Sequence, residues 1–404
     1  MTEVPWSLPE GWSWSTVAKL VKLDRGRVDA HDIQAGTPYI GLEDMPPGAG
    51  RATARSATAV GLRGSQRTHQ KGVVLYGRLR PYLNKVAVAE AAGVVSGEIL
   101  PLRSDGVPAS YLAHWLRSPT VVARTTALAG GAALPRITPR ALLGLPVPVP
   151  PTPILQSLVD RLDDAQRLVQ DLQARAAALT PIRSSLFLHL AGEHSPTAPD
   201  WPHVHIKDVL VHPGLRSGPF GSALHHAEFA PAGDVAVLGI DNVVTDVFRW
   251  AQPRFIDTDR LPEFARYRVF PDDVLVTLMG TVGRTAVAPS NISVAISTKH
   301  LAVLTVDQER VDPHWLAAAL RFSSSVADQM GRSQRGVIMN GLNLGIIRRV
   351  EVARPPLPVQ REYARAEAVL LRLGNDLIAA HQDAEDVLDA IRARCFGRPS
   401  MTAS

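Results

Sequence analysis

The sequence predicts an α+β chain made of two repeated mixed domains and two long helices that pair antiparallel as a coiled-coil spacer with pseudo-twofold symmetry. Three observations predict it. At 404 residues there is room for two cores, since single cores rarely grow much beyond about 250 residues. Motifs recur at an offset near 200 residues, and each series of motifs ends in a long heptad pattern.

The repeat is read in order along the chain. KGVVLYGRLRPYLNKVAVA from Lys71 matches PDDVLVTLMGTVGRTAVA from Pro271: an apolar run, a glycine-containing turn, a basic residue and a second apolar run, which is strand, turn, strand. SYLAHWLRS from Ser110 parallels HWLAAALRF from His314, both with helical spacing, and a glycine-rich loop follows each. LPVPVPPTPILQ from Leu145 and VEVARPPLPVQ from Val350 are strands that run into a proline pair. A helix starts there, because its first turn tolerates proline. IRSSLF at Ile182 and IRARCF at Ile391 close the two copies. The resulting boundaries are 1–150 and 196–355 for the domains, 151–195 and 356–398 for the helices.

The first seam runs through Leu155, Leu158, Leu162, Ala165, Val169, Leu172, Ala176 and Leu179. The second runs through Val359, Tyr363, Ala366, Leu370, Leu373, Leu377, Ala380, Ala384, Val387 and Ile391. Both alternate steps of three and four and need a helical partner, the simplest being each other. Pro181 is expected to bend or interrupt the first helix near its end.

Composition excludes several classes. The hydrophobic fraction of 46% and charged fraction of 20% are those of a globular protein. No run is long and apolar enough for a membrane span, and the first residues lack the pattern of a signal peptide, so a cytoplasmic, membrane-free location is expected. The single cysteine, Cys395, excludes an intrachain disulfide and a cysteine-based zinc site and reads as an apolar filler on a packed helix. There is no phosphate loop of the G-x-x-x-x-G-K-[ST] type, no Asn-Pro-Pro-aromatic or Asp-Pro-Pro-aromatic tetrapeptide of an amino-methyltransferase, and no Glu-x-Lys after Asp272 and Asp273, which read as turn residues. His203, His205, His225 and His226 lack the spacing of a zinc hydrolase, so no metal site and no catalytic residue is expected.

The net charge is modest, +5, but its distribution is uneven. From Pro46 to Lys85 the chain carries Arg51, Arg55, Arg63, Arg67, Lys71, Arg78, Arg80 and Lys85 with no acidic residue, interspersed with Gln66, His69, Tyr82 and Asn84. Arginine suits bidentate pairing with phosphate or with guanine O6 and N7. In the second half Arg332, Arg335, Arg348 and Arg349 accompany Asn340 and Asn343. The candidate DNA-facing residues are Arg63, Arg67, Arg78, Arg80, Asn84 and Lys85 in the first copy. In the second they are Arg284, Lys299, Gln334, Arg335 and Asn340, all on turns and loops that strands can aim into a groove.

Taken in order, the motifs resemble those of the specificity (S) subunits of type I restriction-modification systems over nearly the whole chain. LPEGW at Leu8, PYIGLEDM at Pro38, YGRLRPYLNKV at Tyr76, SGEILPLR at Ser96 and LPRITPRALLGLPVPVPP at Leu134 are similar to the family's series in the first copy. SGPFGS at Ser217, VLVTLMGTVGR at Val274 and ISTKHLAVL at Ile296 are similar in the second, which departs by lacking the arginine-proline-tyrosine turn. The resemblance implies two target-recognition domains that each read one half-site of a bipartite double-stranded DNA target, with the helices setting the gap. It also implies a non-catalytic chain without cofactors of its own, assembled with methylation (M) subunits that bind S-adenosylmethionine and restriction (R) subunits that use ATP and Mg. The resemblance leaves the target sequence and the stoichiometry open. Two other readings stay distinct from it: a catalytic chain, which would show methyl transfer or cleavage by itself, and a coiled-coil scaffold, which would bind proteins without DNA preference. A DNA-reading subunit of a related defence system is the nearest variant.

Overall fold

The computed structural model describes residues 6–24, 26–192, 201–219, 224, 229–244, 246–251, 253–331 and 342–396. The chain divides into two compact units, Met1–Ala174 with Leu377–Ser404, and Arg175–Asp376. Among the described residues no helix is long and apolar enough to cross a membrane.

In the first unit an antiparallel sheet has the order Val21–Leu23, Ile99–Ser104, Val74–Gly77, Val86–Val88. The run Val73 to Tyr76 does not alternate with polar residues because both of its faces are covered. Val74 and Tyr76 meet Tyr111, Leu112 and Trp115 of the helix Ala109–Leu116, and Val73 and Leu75 meet Ile40, Met45 and Ile99. A five-stranded mixed sheet follows the order Arg27–Asp29, Ser65–His69, Gly93–Val95, Pro38–Ile40, Arg55–Ser56, its one parallel pair joining Pro38–Ile40 to Gly93–Val95.

The second unit repeats the plan. Leu210–Ser217, Leu301–Val306, Val274–Thr277 and Thr285–Val287 form an antiparallel sheet in the corresponding order, and Val274 opposes Leu304 as Val74 opposes Leu102. A mixed sheet of Phe255–Ile256, Val235–Leu238, Ala295–Ser297 and Arg268–Val269 again has one parallel pair. The helix Pro313–Phe322 covers the first sheet. Its start is fixed by proline at the first position and by Asp312, whose carboxylate accepts the His314 N–H at 2.9 Å.

Both long helices are present, Thr152–Ala191 and Leu357–Phe396, of 40 residues each, and each begins directly after its proline pair. The first is not interrupted at Pro181. At 1.5 Å per residue each is about 60 Å long. Each unit holds the beginning of one helix and the end of the other, which is an antiparallel pairing. The motifs IRSSLF and IRARCF therefore do not close their own copies. Phe396 packs edge-on against Tyr111 and Trp115, with ring centroids 5.5 and 5.4 Å away, in the first unit's core. Phe187 packs against Trp315 and Tyr363, at 4.8 and 5.7 Å, in the second unit's core. Each helix thus begins in one unit and supplies its last turn to the core of the other.

The first seam is buried or half-buried throughout. The second departs from its expected register at two positions: Leu373 is 45% and Val387 56% exposed, while Gly374 and Leu388 take their places in the seam. A Cβ on Gly374 would lie 3.3 Å from Leu179 Cδ1, so glycine here lets the helices approach.

Polar groups in the seam link helices to domains. In the second unit Glu367 accepts from Arg183 Nη2 at 2.6 Å and from the Tyr363 hydroxyl at 3.1 Å, and lies 3.0 Å from His314 Nδ1. Burial alone would raise the Glu367 pKa and lower that of His314, but the hydrogen bonds and opposite charges outweigh it, holding Glu367 below and His314 above their ordinary values. In the first unit His114 Nε2 meets Asp163 Oδ1 at 2.9 Å, yet burial dominates and lowers the His114 pKa. Arg117 and Arg392 both donate to the Gln166 amide oxygen, Arg392 at 3.1 Å. Burial pushes the Cys395 thiol up to about 11, as for a packed side chain.

Phe396→Ala should cost about 3–5 kcal/mol in the first unit, seen as faster amide exchange of Ile99–Ser104 with Leu301–Val306 unchanged, and Phe187→Ala should give the reverse. Equal loss of protection in both units for either variant would contradict the exchange of helix ends. The two histidines should also respond oppositely to pH. The raised His314 pKa gives stability that is present below the unfolded value and lost as pH rises through the folded one, whereas the lowered His114 pKa gives stability that is lost as pH falls. Amide exchange compared at about pH 8 and about pH 6, across the histidine range, should show the second unit gaining protection relative to the first on acidification, a difference reduced by His114→Gln with His314→Gln and kept in part by His69 of the first unit, whose pKa burial also lowers.

Candidate nucleic-acid interface

In the first unit the chain leaves Val74–Gly77, turns through Arg78 to Lys85, and returns as Val86–Val88. The Gly77 N–H donates to the Lys85 carbonyl at 2.8 Å, and a Cβ at Gly77 would meet Leu42 Cδ2 at 2.9 Å. Arg80 and Asn84 hold left-handed backbone, φ 51° and 50°, on either side of the short 3-10 turn Pro81–Leu83. Side chains with a Cβ adopt that region at a cost, so it persists where surroundings enforce it. Here the Arg80 N–H is fixed by the Pro135 carbonyl at 2.7 Å, and Asn84 Nδ2 by the Arg117 carbonyl at 3.1 Å. The Arg80 side chain is exposed, joined by no hydrogen bond or ion pair to another described residue, and Tyr82 is 51% exposed beside it.

The structure brings Arg67 and Arg78 together and adds two cations that the sequence reading missed. Arg27 is the cross-strand neighbour of Arg67. The Arg67 pKa is lowered by burial and then by the nearby Arg27 and Arg78 guanidiniums, and its Nε is buried without a partner. Glu98 serves both Arg78, with Nε at 3.2 Å, and Arg136, with Nε at 3.0 Å. Of these four guanidiniums only Arg78 and Arg136 pair with a carboxylate, Glu98, among the described residues, which leaves an excess of positive charge that an anion would relieve. Arg63 is exposed on the turn before Ser65–His69, and its carbonyl accepts from Gln66. Other basic-stretch residues are committed elsewhere. Arg55 pairs with Glu43 and, at 2.7 Å, with Asp44. Lys85 Nζ donates to the Leu42 carbonyl at 2.6 Å, so Lys85 and Asn84 hold the turn in place. Arg27 was hidden by neighbouring aspartates in the sequence, and Arg136 by its distance along the chain.

The second unit repeats the backbone of this site. Thr277 N–H donates to the Arg284 carbonyl, Leu278 N–H to the His300 carbonyl and Leu342 N–H to the Leu278 carbonyl, at 2.9, 2.8 and 3.0 Å. The same three bonds join Gly77 to Lys85, Arg78 to Glu98 and Ile137 to Arg78 in the first unit. Arg284 thus stands where Lys85 does, and Leu278 where Arg78 does. Lys299 is exposed on the turn into Leu301–Val306. Gln334, Arg335 and Asn340 lie outside the described residues, as do Arg332, His225, His226 and the second half of SGPFGS, 220–222. Asn343 caps the helix Leu344–Arg349 by accepting the Ile346 N–H. Asp273 is a strut: its oxygens accept from Arg216 Nη2 at 2.6 Å, the Thr305 hydroxyl at 2.5 Å and the Phe270 N–H at 2.8 Å.

No family model matches the sequence. Over 191 residues the chain is 25% identical to the EcoDI specificity subunit of a type I restriction enzyme from Escherichia coli, covering 44% of this chain and 41% of that protein. The match thus spans about two fifths of the relative's length. The solved S subunit of a type I restriction-modification system from M. genitalium superimposes with a TM-score of 0.62 at 14% identity, covering 98% of this chain and 99% of that one. The chain is similar in sequence and in fold to type I specificity subunits. In this chain the repeated turns 78–84 and 278–283 stand at equivalent strand ends of the two units, one bonded through Arg78 to Ile137 and the other through Leu278 to Leu342.

Proposed function

We propose that this chain is the sequence-specific DNA-binding specificity subunit of a type I restriction-modification complex, acting in the cytoplasm. Each unit reads one half-site of a bipartite target, and the complex's methylation and restriction subunits act where the chain directs them. The chain itself carries no catalytic step and no cofactor. S-adenosylmethionine belongs to the methylation subunits, and ATP and Mg to the restriction subunits. The long helices set the gap between half-sites.

The observation that carries this reading is the duplication of one backbone device with different side chains on it: the same three hydrogen bonds hold both turns, while one carries Arg78, Arg80 and Tyr82 and the other Leu278 and Met279. A scaffold has no use for two such turns, whereas a reader of two different half-sites does. In the first unit Arg80 reads a base edge, and Arg27, Arg63, Arg67, Arg78 and Arg136 supply charge for phosphate. In the second, Arg284 and Lys299 take the phosphate role, joined by Gln334, Arg335 and Asn340 further along the chain.

The full chain should protect two separate segments of one duplex in hydroxyl-radical footprinting. Arg80→Ala should weaken protection of one segment by about 1–3 kcal/mol and leave the other in place. A single continuous footprint, or equal loss at both segments, would contradict a half-site per unit.

A further inference from the structure

The two turns share a backbone and differ in chemistry, and the second presents apolar groups to solvent. Between Leu278 and Gly283 there is no charged side chain. Met279 at the tip is 52% exposed, and Ile240, which opens the 3-10 turn Ile240–Asn242, is 37% exposed. The two segments meet at Gly280, where a Cβ would lie 3.0 Å from Ile240 Cδ1, and Gly280 also has φ 71°. Cations flank this tip. The Leu278 N–H is bonded to the carbonyl of His300, next to the exposed Lys299, and Arg284 ends the turn. Arg254 does not contribute, being paired with Asp241 at 2.5 Å.

An exposed thioether and a branched aliphatic group set between two cations suit an anionic partner that carries an apolar group at its reading edge. In the major groove the apolar group of a base pair is the C5-methyl of thymine. Met279 is suited to follow it, since its unbranched chain adapts to small shifts. We infer that the second unit discriminates its half-site by packing Met279, supported by Ile240, against a thymine methyl, while the first unit uses the Arg80 guanidinium. This rests on the DNA-reading proposal above and names the chemistry of one half of it. The glycine at 280 is part of the device: a side chain there would displace Ile240.

Deoxyuridine isolates the claim because it removes only the methyl group. The full chain selects its sites from a randomised duplex library, and each thymine of the selected motif is then replaced singly by deoxyuridine. In the half-site whose protection survives Arg80→Ala, one replacement should weaken binding about fourfold, the transfer free energy of one methyl-sized group. Met279→Ala should bind the thymine duplex about fourfold more weakly and show no further loss with deoxyuridine, while Met279→Leu should keep the response. A selected two-part motif indifferent to every deoxyuridine in that half-site, or a Met279→Ala chain that still responds in full, overturns the inference and leaves DNA reading intact. Failure to select any two-part motif overturns both.

Discussion

Each unit's core is completed by a phenylalanine that arrives on the far end of the helix begun beside the other copy. Phe396 seats between Tyr111 and Trp115, and Phe187 between Trp315 and Tyr363. A buried phenylalanine contributes several kcal/mol, a large part of a domain's net stability. Neither repeat, cut at its own boundary, holds its complete core. The duplication in sequence therefore yields two interdependent units, and it ties both helices to the cores that present the two turns.

The seam that carries this exchange is not uniformly apolar. Glu367 and Arg183 are buried together in one unit, with His314 half-buried beside them, whereas Arg117 and Arg392 share Gln166 in the other. Removing one partner from such a group leaves a buried charge uncompensated, which makes mispaired registers costly. The two sets differ in charge, so each helix end has a chemically distinct destination. Gly374 adds a steric condition at Leu179.

Much of the fold is legible in the sequence because duplication shows the same strand, turn and helix signals twice. Apolar runs such as Val73 to Tyr76 mark doubly covered strands, and the proline pairs mark both helix starts to within a residue or two. The register of the second seam is not legible, since apolar Leu373 outweighs Gly374 and Val387 fits as well as Leu388 on pattern alone, and only a facing helix reveals which stripe is covered. The exchange of Phe187 and Phe396 is hidden for a similar reason: motif order cannot show which core a helix end reaches. At the candidate interface, charge density pointed to Arg67, Arg78 and Arg80. It also drew in Asn84 and Lys85, whose hydrogen bonds to the Arg117 and Leu42 carbonyls are tertiary, and it missed Arg27 and Arg136, which join the cluster through strand pairing and Glu98.

Fold and interface together describe a scaffold that holds two similar turns with different side chains. The central claim is that these turns choose where partner enzymes act. Mapping modified adenines across the genome of a host that carries this gene with its neighbours, and across the same host with the gene deleted, tests it most directly. The account predicts that deletion abolishes modification at one split motif of two fixed half-sites around a fixed gap. An unchanged pattern, in a strain shown to express the methylation subunit, would contradict it.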